Sequence, residues 1–265
     1  MPARLLSLAA GTVLDLDPAS TIDVAASAGF GAVGIWFDPA SWTPATTAAV
    51  ADRLRATGVV ALDMEPVILG RDHDPGDALV DTAAALGVRH VLVASGRADR
   101  AAVVERFGAL CERAAPADIV VVLEFLPIFT IASLADAVGV VQEVAHASGA
   151  VLVDTLHLAR SGGAPHDLHT VPPALMPYLQ VADAKAEPPG RSREALRDEA
   201  LHGRLLPGDG DLPLAATLAH LPGIPLSMEL RSSALMSAYP DPSDRARAVL
   251  DATHRLLAAE PAGQP

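Results

Sequence analysis

Cysteine is almost missing from this chain. Cys111 is the only one among 265 residues, so no disulfide can form within it, as suits a reducing compartment. Basic residues are scarce too: 19 Lys and Arg stand against 32 Asp and Glu, for a formal net charge of −13. That balance favours solubility and argues against a nucleic-acid partner, which a basic track would recognise. It leaves open an anionic substrate bridged through a metal, since a local site can differ in sign from the whole surface. No stretch is apolar for long enough, without charges or helix breakers, to span a membrane. The opening MPARLLSLAAGTVLDLD places Arg4 ahead of a short apolar run, as a signal peptide would. Gly11, Thr12 and Asp15 interrupt that run early, and it reads better as a first core strand. A cytoplasmic protein is therefore expected. Phosphate-binding glycine loops, zinc spacings and a serine nucleophile elbow are also missing, which removes those chemistries.

What the chain has in quantity is apolar surface and short connections. Hydrophobic residues make up 51%, with 22 Pro and 20 Gly, enough for a substantial core and too apolar for wholesale disorder. β-prone runs alternate with Ala/Leu/Arg/Glu-rich stretches from one end to the other. The expected strands are Leu5–Ala10, Ala32–Phe37, Val59–Glu65, His90–Ala94, Ile119–Phe125, Val151–Asp154, Tyr178–Ala182 and Leu226–Leu230. The expected helices are Pro18–Ala28, Pro44–Thr57, Asp77–Leu86, Arg97–Ala114, Ile131–Ser148 and Ser243–Ala259, with short helical turns at Pro172–Leu175 and Leu212–Leu221. Glycine follows the last periodic residue in ASAGFG, RATGVV, AALGVR and ASGAVL, where a left-handed residue ends a helix. Runs such as IVVVLEF are almost continuously apolar, the pattern of a parallel strand covered on both faces. Eight such strands alternating with helices predict an α/β fold, a closed (β/α)8 TIM barrel, as one domain over residues 1–260 with a disordered tail at 261–265. A doubly wound open sheet is the competitor, but SLAAGTVLDL is not the glycine fingerprint usual in its first turn. Three stretches break the rhythm: 69–75, 165–173 and, longest, 184–213. Long loops at the C-terminal ends of barrel strands are where a substrate cover is built.

Four late strands each carry a metal-capable side chain near that end. They are Glu124 in VVVLEFLP, Asp154 in VLVDTLH, Gln180 in YLQVADA and Glu229 in LSMELR. Each alone is what a salt-bridged rim residue looks like. A carboxylate in an apolar strand is costly, however, unless it is paired or bound to a cation. Strands five to eight are consecutive staves of a barrel, so the four groups would converge across its mouth. Three carboxylates and an amide oxygen make an all-oxygen donor set, suited to Mg2+ or Mn2+ rather than to structural zinc.

On these residues the sequence resembles the sugar phosphate isomerase/epimerase superfamily, the xylose isomerase-like barrels, over nearly its whole length. The likeness is carried by Glu124, the Asp154/His157 pair, the QVAD segment at 180–183, the LPGDG loop at 206–210 and Glu229. The resemblance implies a divalent cation held by Glu124, Asp154, Gln180 and Glu229. It also implies that His157 faces the substrate and that Arg204, in HGRLLPGDG, reaches in from the loop before the last strand. Glutamine at 180, where many sugar epimerases carry histidine, resembles the 3-dehydroshikimate dehydratase-like branch.

The chemistry shared by such barrels is proton abstraction next to a carbonyl, with a metal polarising the carbonyl. One group removes the α-proton and a second returns it. Glu124 and Glu229 are expected to be that pair, with His157 binding a substrate oxygen or shuttling a proton. An imidazole satisfied by a loop carbonyl is the plainer alternative for His157. Arg204 and Arg160 are expected to clamp a carboxylate or phosphate, although arginines on loops are commonly just solvated. Glu65, in ALDMEP, is expected to hydrogen-bond a hydroxyl, and Asp183 to orient Arg204 or His157. Aromatics are only 3% of the chain, so Trp36, with Trp42 close behind it, points to an apolar wall over a ring. Core packing or loop anchoring would also explain the two tryptophans.

The expected function is a metal-dependent isomerase or epimerase acting on a small keto-sugar or related polyhydroxylated carbonyl compound. A metal-dependent dehydratase of the dehydroshikimate or inosose kind shares the enolate chemistry and differs in expelling a hydroxyl. An apurinic endonuclease would share the barrel. It needs a richer metal cluster than His73, His166 and His169 offer, and a basic DNA track. A non-catalytic barrel that binds polyols or a protein partner would have no need of four ligand types. Neither nucleic acid nor membrane is expected as a partner, and the sequence leaves room for a homodimer.

Overall fold

Each of the eight apolar runs forms a strand of one closed parallel barrel in the computed structural model, which describes residues 4–259. The strands are β1 Leu6–Leu8, β2 Ala32–Trp36, β3 Val60–Leu69, β4 His90–Ser95, β5 Val120–Glu124, β6 Gly149–Asp154, β7 Leu179–Val181 and β8 Leu226–Met228. Neighbours in sequence are neighbours in the sheet, and β8 closes on β1 through Leu6/Leu226, Ser7/Ser227 and Leu8/Met228. The helices are α1 Pro18–Ala28, α2 Pro44–Thr57, α3 Gly76–Leu86, α4 Arg100–Ala114, α5 Leu134–Val144, α6 Thr155–Arg160, α7 Arg193–His202, α8 Leu214–His220, α9 Ser233–Ala238 and α10 Pro242–Ala258. The tail expected at 261–265 lies outside the described residues. Among the described residues no helix is long and apolar enough to cross a membrane.

Local chemistry sets the element ends. The Asp17 carboxylate accepts from the N–H groups of Ala19 and Ser20 at the start of α1, Pro18 occupies the first turn, and Gly29 closes the helix at φ 103°. Inside the barrel, Leu62, Leu92, Val122, Leu152 and Tyr178 form one apolar layer. Outside it, Val91, Val93, Val121, Leu123, Val151 and Val153 pack against the helices. The strands therefore alternate in and out, although the sequence hides this because both sides are apolar.

β3 departs from the alternation. Val33 pairs with Ala61 and Gly34 with Asp63, so Leu62 is an extra residue in the ladder. The bulge puts Leu62 and Asp63 both on the inside, sends Met64 to the helix layer and brings Glu65 to the mouth. A second register shift between Met64 and Val67 carries the strand through the cis Glu65–Pro66 bond to Leu69. The sequence places the strand's end at Glu65 because a proline reads as a terminator; the irregular pairing accommodates Pro66. The stretch 184–213, expected as a long loop, is built around α7, capped by Ser192 accepting from the Ala195 N–H. The flanking Pro188, Pro189 and Gly190 mask this helix, and the short α6 and α9 are likewise absent from the sequence pattern.

Candidate metal centre

Asp154 is both the last residue of β6 and the N-cap of α6. Its Oδ1 accepts the backbone N–H of His157 at 3.0 Å, so one carboxylate ends the strand, starts the helix and sets the imidazole beside it. The Thr155 hydroxyl ties this corner to the end of β7, donating to the Ala182 carbonyl and accepting from the Ala182 N–H. Glu124 ends β5, and its Oε1 lies 3.9 Å from His157 Nε2. One ligand atom from each of Glu124, Asp154 and His157 lies within 4.8 Å of the others. This buried cluster can coordinate a divalent metal.

A cavity of about 300 Å3 opens onto it. Glu65, Glu124, His157, Gln180, Arg204 and Glu229 line the polar side, and Trp36, Ile68, Leu92, Leu126, Ile128 and Phe129 the apolar side. Asp154 is fully buried beneath. Arg204 stretches across the floor. Its Nη1 donates to Asp154 Oδ2 at 2.6 Å and to the Glu229 carbonyl at 3.3 Å, its Nε donates to the Ala200 carbonyl, and its Nη2 lies 3.4 Å from His157 Nε2. Glu229 follows β8 and rests on Gly11, where a Cβ would collide with its Oε1.

Three of the residues singled out in the sequence are engaged elsewhere. Arg160 makes two contacts to Glu199 on α7, at 2.6 and 2.7 Å, and donates to the carbonyls of Lys185 and Ala186. It is not among the residues lining the cavity, and its donors hold α7 to the barrel. Asp183 accepts the backbone N–H groups of Ala184, Gly208, Gly210 and Leu212; it shapes the loop after Arg204 in place of orienting the guanidinium. Trp42 donates to Thr47 Oγ1 at 2.9 Å and packs 5.0 Å from Phe37, so it anchors a loop, and only Trp36 of the two reaches the cavity.

A further acid, not among the residues predicted from the sequence, lies deeper in the barrel. Asp63 is fully buried, with the Tyr178 hydroxyl donating to Oδ2 at 2.8 Å and no partner on Oδ1. The His90 ring lies 4.8 Å from that of Tyr178, with Nδ1 2.7 Å from the Leu62 carbonyl oxygen. Asp63 stands in the same ALDMEP run as Glu65, and an acid there carries the same burial cost that draws attention to Glu124.

Burial pushes Glu124 well above the usual carboxylate range, and Asp154 beside it raises it further. Glu65 is driven up in the same way by burial and by Glu229. Glu229 is raised by burial, with Arg204 and Arg231 opposing. Asp154 goes the other way: burial works to raise it, but Arg204 and His157 draw it below its ordinary value. Burial lowers His157 to about 4, so its contact with Glu124 is made by a neutral ring at pH 7. The donor set fits a divalent cation on two grounds. Glu229 Oε2 and Glu65 Oε1 are buried with no hydrogen-bond partner, a state that a cation or ligand would relieve. The carboxyls that burial shifts upward are also those whose ionised form a cation would favour.

A closed parallel barrel with an acid and imidazole cluster at the C-terminal ends of its strands defines a class, the TIM barrels with a candidate metal site at the mouth. The sequence matches the family described as Xylose isomerase-like TIM barrel over residues 22–256, and the chain belongs to that family. No curated protein matches it in sequence. Among solved structures it is similar to a xylose isomerase-like TIM barrel/4-hydroxyphenylpyruvate dioxygenase fusion protein, with a TM-score of 0.81 and 20% identity over 96% of this chain; it spans only 42% of that protein. It is similar to the IOLI protein with a bound zinc atom, with a TM-score of 0.82 and 16% identity over 98% of this chain and 100% of the other. It is also similar to D-allulose 3-epimerase from Methylomonas sp., with a TM-score of 0.69 and 19% identity over 96% and 99% of the two chains. At these identities the likeness is one of fold.

Proposed function

We propose that the protein is a divalent-metal-dependent isomerase or epimerase that moves a proton at the carbon beside the carbonyl of a keto-sugar or related polyhydroxylated compound. What supports this is the cluster of Glu124, Asp154 and His157 opening onto a cavity that Gln180 and Glu229 also line. Glu124, Asp154, Gln180 and Glu229 would hold the cation, and their oxygen donors favour Mn2+ or Mg2+. When bound, that ion supplies the Lewis acidity that makes the neighbouring C–H acidic.

The chain's own residues move and hold the rest. Glu124, from β5, and Glu229, behind β8, serve as the acid and base, one taking the α-proton and the other returning it. Burial raises both carboxyls in the metal-free protein, and a bound cation would draw them back toward ionisation. The neutral His157 hydrogen-bonds a substrate oxygen, and Glu65 a hydroxyl. Arg204 keeps Asp154 ionised, while Trp36 and Phe129 exclude water from one side of a cavity sized for a small molecule. Relatives in fold include a zinc-binding protein and an epimerase, in keeping with this chemistry.

Metal analysis of protein purified without chelator, beside an E124Q/E229Q variant, tests the site. Proton exchange from deuterated water into keto-sugars and dehydroshikimate, followed by NMR, tests the reaction. Stoichiometric Mn2+ or Mg2+ and exchange, both lost in the variant, are expected. A conjugated, ultraviolet-absorbing product would turn the assignment to a dehydratase. A chain that takes up no divalent ion even in excess would overturn both.

A further inference from the structure

Four arginines line the cavity: Arg71 from the loop after β3 and Arg197 on α7, both exposed, the buried Arg204, and Arg231 just beyond β8. Arg204 is paired with Asp154. The other three form no ion pair among the described residues, in a chain where 32 acids compete for 19 bases. On the outer surface Arg53, Arg55, Arg100, Arg106, Arg113 and Arg247 each hold a carboxylate. Arg89, Arg97, Arg193 and Arg255 have no ion pair either, so a missing partner carries weight only together with a place in the cavity wall. Arg231 has that place. It is half-buried, its Cζ lies 5.9 Å from the centre of the Trp36 ring, and Glu65 and Glu229 feel its charge without pairing with it. Arg71 also lines an adjoining cleft that shares Trp36, Pro66 and Ile68 with the cavity. Guanidinium forks match the oxygens of carboxylates and phosphates, and a chain of net charge −13 would repel such a ligand without a local cationic wall.

We infer that the substrate carries an oxyanion, a carboxylate or a phosphate, beside its reacting carbonyl end, and that Arg71, Arg197 and Arg231 receive it. Which end of the substrate reacts rests on the proton-transfer chemistry proposed above; which end is held rests on the arginines alone.

Calorimetric titration of the metal-loaded protein with inorganic phosphate and with malonate tests the wall directly, in wild type, R71Q, R197Q, R231Q and the triple variant. R53Q serves as a control for net charge, and circular dichroism checks each fold. Wild type is expected to bind one or both anions in a salt-sensitive way, the triple variant at least about tenfold more weakly, and R53Q as wild type. In the exchange assay a keto-sugar phosphate or dehydroshikimate should show a lower KM than a neutral ketose, an advantage the triple variant loses. The two anionic substrates separate phosphate from carboxylate. Anion binding that survives in the triple variant overturns the inference. Equal exchange of neutral and anionic substrates also overturns it, while leaving the proton-transfer chemistry standing. Arginine-dependent anion binding with no exchange on any carbonyl compound supports the inference and overturns that chemistry.

Discussion

Gly11 and Glu229 divide one small space between them. A methyl group on Gly11 would collide with the Glu229 carboxylate, whose Oε2 has no hydrogen bond to hold it. Gly11→Ala should therefore displace the proposed proton-transferring group and leave the strands intact. Exchange is expected to fall about a hundredfold, with unfolding free energy changed by less than about 2 kcal/mol; NMR exchange and denaturant melts check the two halves. Asp63 offers a pH signature. Burial raises it to about 7 from the ordinary 3.8, so between those values the folded chain binds the extra proton and stability falls as pH rises. Asp63→Asn keeps an acceptor for the Tyr178 hydroxyl and does not titrate. Its stability relative to wild type should grow by about 4 kcal/mol between about pH 4 and about pH 8, read from urea melts at the two values. His157, lowered to about 4 by burial, works in the opposite direction: its contribution is lost as pH falls from about 6.5 through about 4. It is common to both proteins and cancels in the difference.

Among the elements, α7 is tied to α6 through one buried ion pair. Arg160 and Glu199 are both almost wholly buried and face each other at 2.6 Å, and removing one partner of such a pair costs about 3–5 kcal/mol. Glu199→Ala should raise amide exchange across 193–202 while β4 to β6 stay protected, since the barrel strands do not rest on this helix. Unchanged protection of α7 would show that another contact anchors it. This helix is also where the sequence was least legible, because its polar composition and the Pro-Pro-Gly before it read as loop. The eight strands were legible for the opposite reason: short, nearly continuous apolar runs bounded by helix-ending glycines. Glu124, Asp154, Gln180 and Glu229 stood out because polar groups at the ends of such runs are costly. The inward turn of Leu62 beside Asp63 follows from a bulge that no residue type announces. The engagement of Arg160 and Asp183 with their neighbours depends on tertiary approach, which spacing along the chain does not encode.

For the whole molecule, metal and protons compete for the same carboxyls. Mn2+ at about a hundred times its dissociation constant adds about 2.7 kcal/mol of stability, which should raise the melting temperature by about 5–10 °C in a domain of this size. Chelation should reverse the gain. Burial raises Glu124 in the metal-free protein, so the increment should shrink as pH falls. Scanning calorimetry across pH, with and without Mn2+, checks both amount and sign.

The extra residue at Leu62 acts as a change of phase in a two-beat rhythm. Leu62 and Asp63 face inward in succession, so the leucine enters the apolar layer while Asp63 and Glu65 still point inward and Met64 joins the helix layer. Deleting Leu62 would restore the regular beat, with Ala61 outward and Asp63 inward, and would take only the leucine out of the barrel's apolar layer. One added residue thus lets a single strand supply both the greasy layer and the acid next to it.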